Sequence, residues 1–110
     1  MNRSFLTEDL NGYTIVLKLE FLVDMDDGVC TLILDLAQSE MATSKAIRAE
    51  FAGVTSLCLN EFGGGITQLL LLNIEDIKDQ QLDRIQYRIT ELEKSSLSFM
   101  CNKINIVNTR

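Results

Sequence analysis

The sequence has no histidine, and this absence removes the most chemistry. Without an imidazole the chain cannot assemble a Ser-His-Asp triad, a Cys-His dyad or a His-ligated metal centre. Basic residues are scarce as well. Ten Lys and Arg stand against sixteen Asp and Glu, giving a net charge of −6 and a pI of about 4.5. With no basic run to neutralise phosphates, nucleic-acid binding is not expected. The three cysteines are widely spaced and none belongs to a C-x-x-C pair, so a thiolate metal site is not expected either. Long apolar runs are missing. The longest, Ile66 to Ile74, is too short to cross a hydrocarbon core of roughly 30 Å as a helix, and no membrane association is expected. Glu8 and Asp9 interrupt the N-terminus before a signal-peptide core can form. Together these features predict a cytoplasmic protein whose thiols stay reduced and buried.

What is present suits a single domain. The 110 residues contain no proline and no Gly/Ser linker or charge block that would divide the chain, so one unit is expected over residues 1–110. Hydrophobic residues make up 46% and charged residues 24%, the composition of a globular chain rather than a disordered one.

The apolar periodicity is mostly two, the strand signal. Ile15, Leu17, Leu19, Phe21 and Val23 alternate with a more polar set. Asp24-Met25-Asp26-Asp27-Gly28 then reads as a turn, and Cys30, Leu32, Leu34 and Leu36 return, completing a long hairpin. Residues 40–51 support either a strand, from the alternation of Ile47, Ala49 and Phe51, or a helix, from their Ala, Met, Lys and Glu content. After Gly63-Gly64-Gly65 the segment 66–77 reads as a strand apolar on both faces, hence central or covered. Residues 78–84 read as a turn or a single helical turn capped by Asp79. A second hairpin runs from Ile85 through the turn Glu93-Lys94-Ser95-Ser96 to Leu97, Phe99 and Cys101, with Ile104 and Ile106 following a bulge near Asn102. These elements predict an all-β fold: an antiparallel β-sandwich of six to seven strands with at most one or two short helices.

The motifs that could carry chemistry are incomplete. The glycine triplet lacks the Lys-Ser/Thr of a phosphate loop and is followed by no helix pattern; it reads as a bend with positive φ. Asp24-x-Asp26-Asp27-Gly28 resembles the opening of a calcium loop, but its glycine comes one residue early and strands flank it. Glu75 with Asp76, and Glu91 with Glu93, could pair for acid/base work. Nothing in the sequence supplies the burial or neighbouring charge that would shift a carboxyl pKa. No enzymatic activity and no cofactor are expected.

Beyond these local readings, the stretch Ile47 to Ile106 carries a recognisable order. It reads Ala-x-Phe-Ala-Gly-Val-Thr-Ser-Leu-x-Leu-Asn-Glu-Phe-Gly-Gly-Gly-Ile-Thr-Gln from Ala49, then Ile74-Glu75-Asp76-Ile77-Lys78-Asp79-Gln80-Gln81. The hairpin Tyr87 to Glu93 and Leu97-Ser98-Phe99-Met100-Cys101 follow. This resembles small bacterial immunity proteins of contact-dependent growth inhibition and other polymorphic toxin systems. The resemblance implies a protein that binds and neutralises the C-terminal domain of a cognate toxin, expected to be a basic nuclease. The other reading is a stand-alone binding module for a small molecule or peptide. A basic partner calls for an acidic, solvent-facing site. Glu61, Glu75, Asp76, Asp79, Asp83, Glu91 and Glu93 are expected to merge into one patch, since consecutive strands are usually neighbours. The tip Asp24, Asp26 and Asp27 is the secondary candidate.

Overall fold

The computed structural model describes Leu10 and residues 12–41, 43–69, 72–77 and 85–109. Eight strands run through these residues: β1 Ile15–Val23, β2 Cys30–Ala37, β3 Ala46–Ala52, β4 Thr55–Leu59, β5 Leu72–Asp76, β6 Tyr87–Glu91, β7 Leu97–Cys101 and β8 Lys103–Asn108. They form two four-stranded antiparallel sheets, ordered β1-β2-β3-β8 and β4-β7-β6-β5. The expected antiparallel β-sandwich is therefore present, with eight strands rather than six or seven. Residues 46–52 settle as strand, because the alternation of Ile47, Ala49 and Phe51 lets β3 bury one face between β2 and β8.

The extra strand comes from a bend. The bulge expected near Asn102 is the point at which the chain leaves one sheet for the other. Ala52 pairs with Lys103 in the first sheet, and Thr55 with Met100 in the second. Both pairs belong to one uninterrupted register, so Gly53 lies opposite Asn102. The ladder of β3 on β8 thus continues as β4 on β7 after turning a corner, as in sandwiches whose strands change sheets. Asn102 donates its backbone N–H to the Ala52 carbonyl at 2.8 Å, and Val54 donates to that of Cys30 at 2.9 Å.

The inward faces interlock as one core. Leu32, Leu34, Leu36, Ile47, Ala49 and Phe51 from the first sheet meet Ile74, Tyr87, Ile89, Leu97, Phe99 and Cys101 from the second. Phe51 and Phe99 meet edge to face across the layers, with ring centroids 4.9 Å apart at 77°. Each large side chain buried here contributes about 1.5–3 kcal/mol. The outward face of the first sheet carries a cross-strand pair, in which Arg48 Nε donates to Asp35 Oδ1 at 2.8 Å. That hydrogen bond holds the Asp35 carboxyl below its ordinary pKa.

Two strand expectations need correction. In β1 the alternation is not continuous: a register shift between Val16 and Lys18 loops out Leu17, which is exposed. Val16 and Leu19 are consequently the residues that reach the core. A one-residue insertion exchanges the two faces of a strand. The segment 66–77 is not one central strand. Only 72–76 form β5, and β5 is a sheet edge. Upstream, Val16 donates to the Thr67 carbonyl at 2.9 Å and Leu69 to that of Thr14 at 2.7 Å, so this stretch lies along the start of β1 in the first sheet before joining the second. Its apolar character comes from bridging two layers. The glycine triplet has positive φ throughout, 94°, 74° and 130°, as a bend requires. The turn expected at 78–84 lies outside the described residues.

All three cysteines are free, and they differ in environment: Cys101 is buried, Cys30 half-buried and Cys58 exposed. Burial is expected most firmly of Cys30 and Cys101, which alternate in step with Leu32 and Phe99, and less of Cys58, which alternates against Leu57 and Leu59; it holds in full only for Cys101. Leu57 turns toward the core, and a register shift in β4 around Ser56, whose φ is 59°, sets Cys58 outward. Burial pushes the Cys101 thiol up to about 12. A thiol-specific reagent at pH 8 should therefore modify Cys58 within minutes, leave Cys101 untouched in the native state, and count three groups after denaturation without reductant. Fewer than three would reveal a disulfide.

Candidate functional site

The hairpin of β1 and β2 ends in a turn built by its own aspartates. Asp24 exchanges backbone hydrogen bonds across it, donating to the Val29 carbonyl at 3.0 Å and accepting from Gly28 at 2.7 Å. Asp24 Oδ1 accepts from the Asp26 N–H at 2.8 Å, and Asp27 Oδ1 from the Val29 N–H at 2.9 Å. Such local bonds are why Asp crowds into turns. They engage one oxygen each of Asp24 and Asp27, and all three carboxylates are at the exposed tip.

The same tip is unusually apolar. Phe21, Leu22, Val23, Met25 and Val29 are all exposed, Met25 by 89%. β1 is a sheet edge, so among the described residues no strand covers its outer side beyond the contact with 67–69. Beside the tip lies an open groove of about 670 Å³, walled by Asp27, Val29, the corner residues Gly53 and Val54, Ile85 and Lys103. Sequence reasoning found the aspartates and missed these apolar side chains. A signal existed: Phe21-Leu22-Val23 are three consecutive apolar residues, and a strand can bury only alternate ones.

Among the described residues, the acidic groups expected to merge fall toward two ends of the sandwich. β5 and β6 pair with Asp76 opposite Tyr87 at one end and Leu72 opposite Glu91 at the other. Four residues at about 3.3 Å each put roughly 13 Å between these ends. Consecutive strands are indeed neighbours, but their antiparallel course separates the two acidic groups. Glu75 forms an exposed ion pair with Arg88 at 3.3 Å, a type worth at most about 1 kcal/mol. Asp76 lies next to Tyr87, whose hydroxyl is raised by burial and then by this neighbouring charge. These two belong to the end of the sandwich that carries Ile85, the groove and the hairpin tip. Glu61 and Glu93 lie toward the opposite end. There a smaller depression of about 140 Å³ is lined by Glu61, Thr67, Lys94 and Ser96. Asp79 and Asp83 lie outside the described residues.

Glu91 is a clear correction. Expected at the surface, it is 1% exposed. Its Oε1 accepts from the Lys94 N–H at 2.7 Å and from the Ser96 N–H and hydroxyl at 3.5 and 3.4 Å, while Oε2 accepts from the Glu93 N–H at 3.2 Å. The carboxylate is the internal scaffold of the β6–β7 turn. Buried polar groups persist where they are hydrogen-bonded in this way, and a surface role for Glu91 is excluded by its position.

Among the described residues no group of three or more His, Cys, Asp and Glu side chains is placed to hold a metal. What the geometry offers is surface: an acidic and apolar hairpin tip with a groove beside it. The model of the immunity protein family PIM8 matches residues 4–107, nearly the whole chain. The chain belongs to the PIM8 immunity protein family. Searches of curated proteins and of solved structures found no significant match. Membership of an immunity protein family implies a cognate toxin as partner.

Proposed function

We propose that this protein binds the C-terminal domain of a cognate toxin in the bacterial cytoplasm and neutralises it by occupying its surface, with no chemistry of its own. The match to an immunity family over residues 4–107 carries the reading. The charge of −6 supports a further detail, that the toxin is a nuclease with a basic substrate site. Carboxylates would compete with phosphate for that site and speed the encounter. The experiment is to express the cognate toxin domain, sought among the reading frames adjacent to this chain's gene, alone and together with it. Co-expression should restore growth, the two chains should co-purify, and an equimolar amount of this protein should abolish nucleic-acid cleavage. Full toxin activity at tenfold excess would overturn the proposal. A stable complex with a toxin that cleaves no nucleic acid would overturn only the nuclease assignment.

A further inference from the structure

We infer that the β1–β2 hairpin tip, together with the groove beside it, is the docking surface for the toxin. The inference rests on the immunity reading and adds where the toxin binds. Eleven large hydrophobic side chains are exposed among the described residues, and six of them, Leu17, Phe21, Leu22, Val23, Met25 and Val29, fall within thirteen consecutive positions. Single exposed hydrophobics are ordinary, whereas a contiguous group marks a contact surface. This group follows one edge strand into a turn; Phe21 and Val23 lie on one face of the strand and Leu22 on the other, so a partner that grips the edge and the turn reaches Leu22, Val23 and Met25 without any rearrangement of the sandwich.

Charge identifies the occupant. Asp24, Asp26 and Asp27 rim the apolar residues, and no basic residue lies between Leu19 and Val29; on the groove walls the charged side chains are Asp27 and Lys103, so the acidic excess lies on the tip. A second copy of this chain would bring a second acidic tip and a second net charge of −6 against the first. A basic domain bearing an apolar pocket is the complementary partner. Apolar side chains would supply the desolvated centre and the aspartates the charged rim. The groove supplies the concave part, with Val29 and Ile85 on its walls. The β5–β6 candidates offer less, since Glu75 is already paired with Arg88 and Glu91 is internal.

The test is calorimetric titration of the purified toxin C-terminal domain, at low and high salt, with three variants whose melting temperatures are first checked against the parent. Leu22→Arg with Met25→Arg should weaken binding at least tenfold and abolish growth protection. Asp24→Asn, Asp26→Asn and Asp27→Asn together keep the Oδ1 acceptors of the turn and remove its charge. This triple variant should bind several-fold more weakly at low salt, with the difference shrinking at 0.5 M salt. Ile66→Arg with Leu92→Arg, which places the same charges on exposed apolar positions elsewhere, should bind within twofold of the parent. If the parent binds and the first two variants bind as tightly, the docking surface is wrong and the immunity reading stands. If the parent itself does not bind, both fall.

Discussion

Replacing Glu91 with alanine should destabilise the protein by about 3 kcal/mol, lowering its Tm by roughly 10–20 °C for a domain of this size. The carboxylate holds three backbone N–H groups, of Glu93, Lys94 and Ser96, and the Ser96 hydroxyl. Removing it leaves donors in a half-buried turn without their acceptor, each costing about 1–3 kcal/mol where water cannot replace it. Part of the loss is returned, since a charge no longer has to be buried. Ser95 sharpens the case. Its φ is 55°, an unfavourable conformation for a residue with a Cβ, and the bonds to Glu91 on either side help hold it. Glu91→Gln should be intermediate. An amide keeps one oxygen for the Lys94 N–H but turns an NH₂ group toward donors. Urea denaturation of the three proteins checks the order. An alanine variant as stable as the parent would show that the turn forms without this scaffold.

Glu91 also shows where the sequence stops being informative. In Thr90-Glu91-Leu92-Glu93 the acidic residues occupy alternate positions, and a solvated face is the natural reading of such a pair. Nothing local distinguishes a carboxylate that points outward from one around which the next five residues fold. By contrast, the long hairpin, the core positions of β2 and the pairing of β6 with β7 follow directly from alternation, whereas in β3 the alternation competes with the helix-forming composition of residues 40–51. Each of those strands has one polar and one apolar face, and only one register buries the latter. The bulge at Leu17 defeats the same logic, because a single inserted residue leaves the composition alternating while exchanging the faces. The candidate site was half legible. Asp24, Asp26 and Asp27 announce a turn, but whether their apolar neighbours are covered depends on which strand is an edge, a property of strand order that no local pattern encodes. The expected acidic patch failed for a related reason. Adjacency of β5 and β6 was correct, and direction, which places Asp76 and Glu91 at opposite ends, was left out.

The corner offers the second large effect. Gly53→Val should cost about 3 kcal/mol or more and Gly53→Ala roughly 2, with binding to the toxin weakened in step because Gly53 also walls the groove. Two independent terms add. Gly53 has a φ of 73°, and a Cβ built there would stand 3.0 Å from the Asn102 Cβ. Left-handed φ costs a residue with a Cβ about 1–2 kcal/mol, more when it is β-branched. The contact costs more because neither partner can retreat. Asn102 is fixed by its N–H to the Ala52 carbonyl, and Val54 by its N–H to that of Cys30. The close approach is what lets the β3–β8 ladder turn into the β4–β7 ladder without losing register, so a wider corner would pull Phe51 and Phe99 apart on the two sides of the core. The two terms separate in a double-mutant cycle. Asn102→Gly removes the contact and leaves φ unchanged, so in that background Gly53→Ala should lose roughly half its effect. Equal destabilisation in both backgrounds would assign the whole cost to backbone conformation. No destabilisation in either would mean that the corner can open, and that the sheets are joined more loosely than the continuous register from Ala52 to Met100 requires.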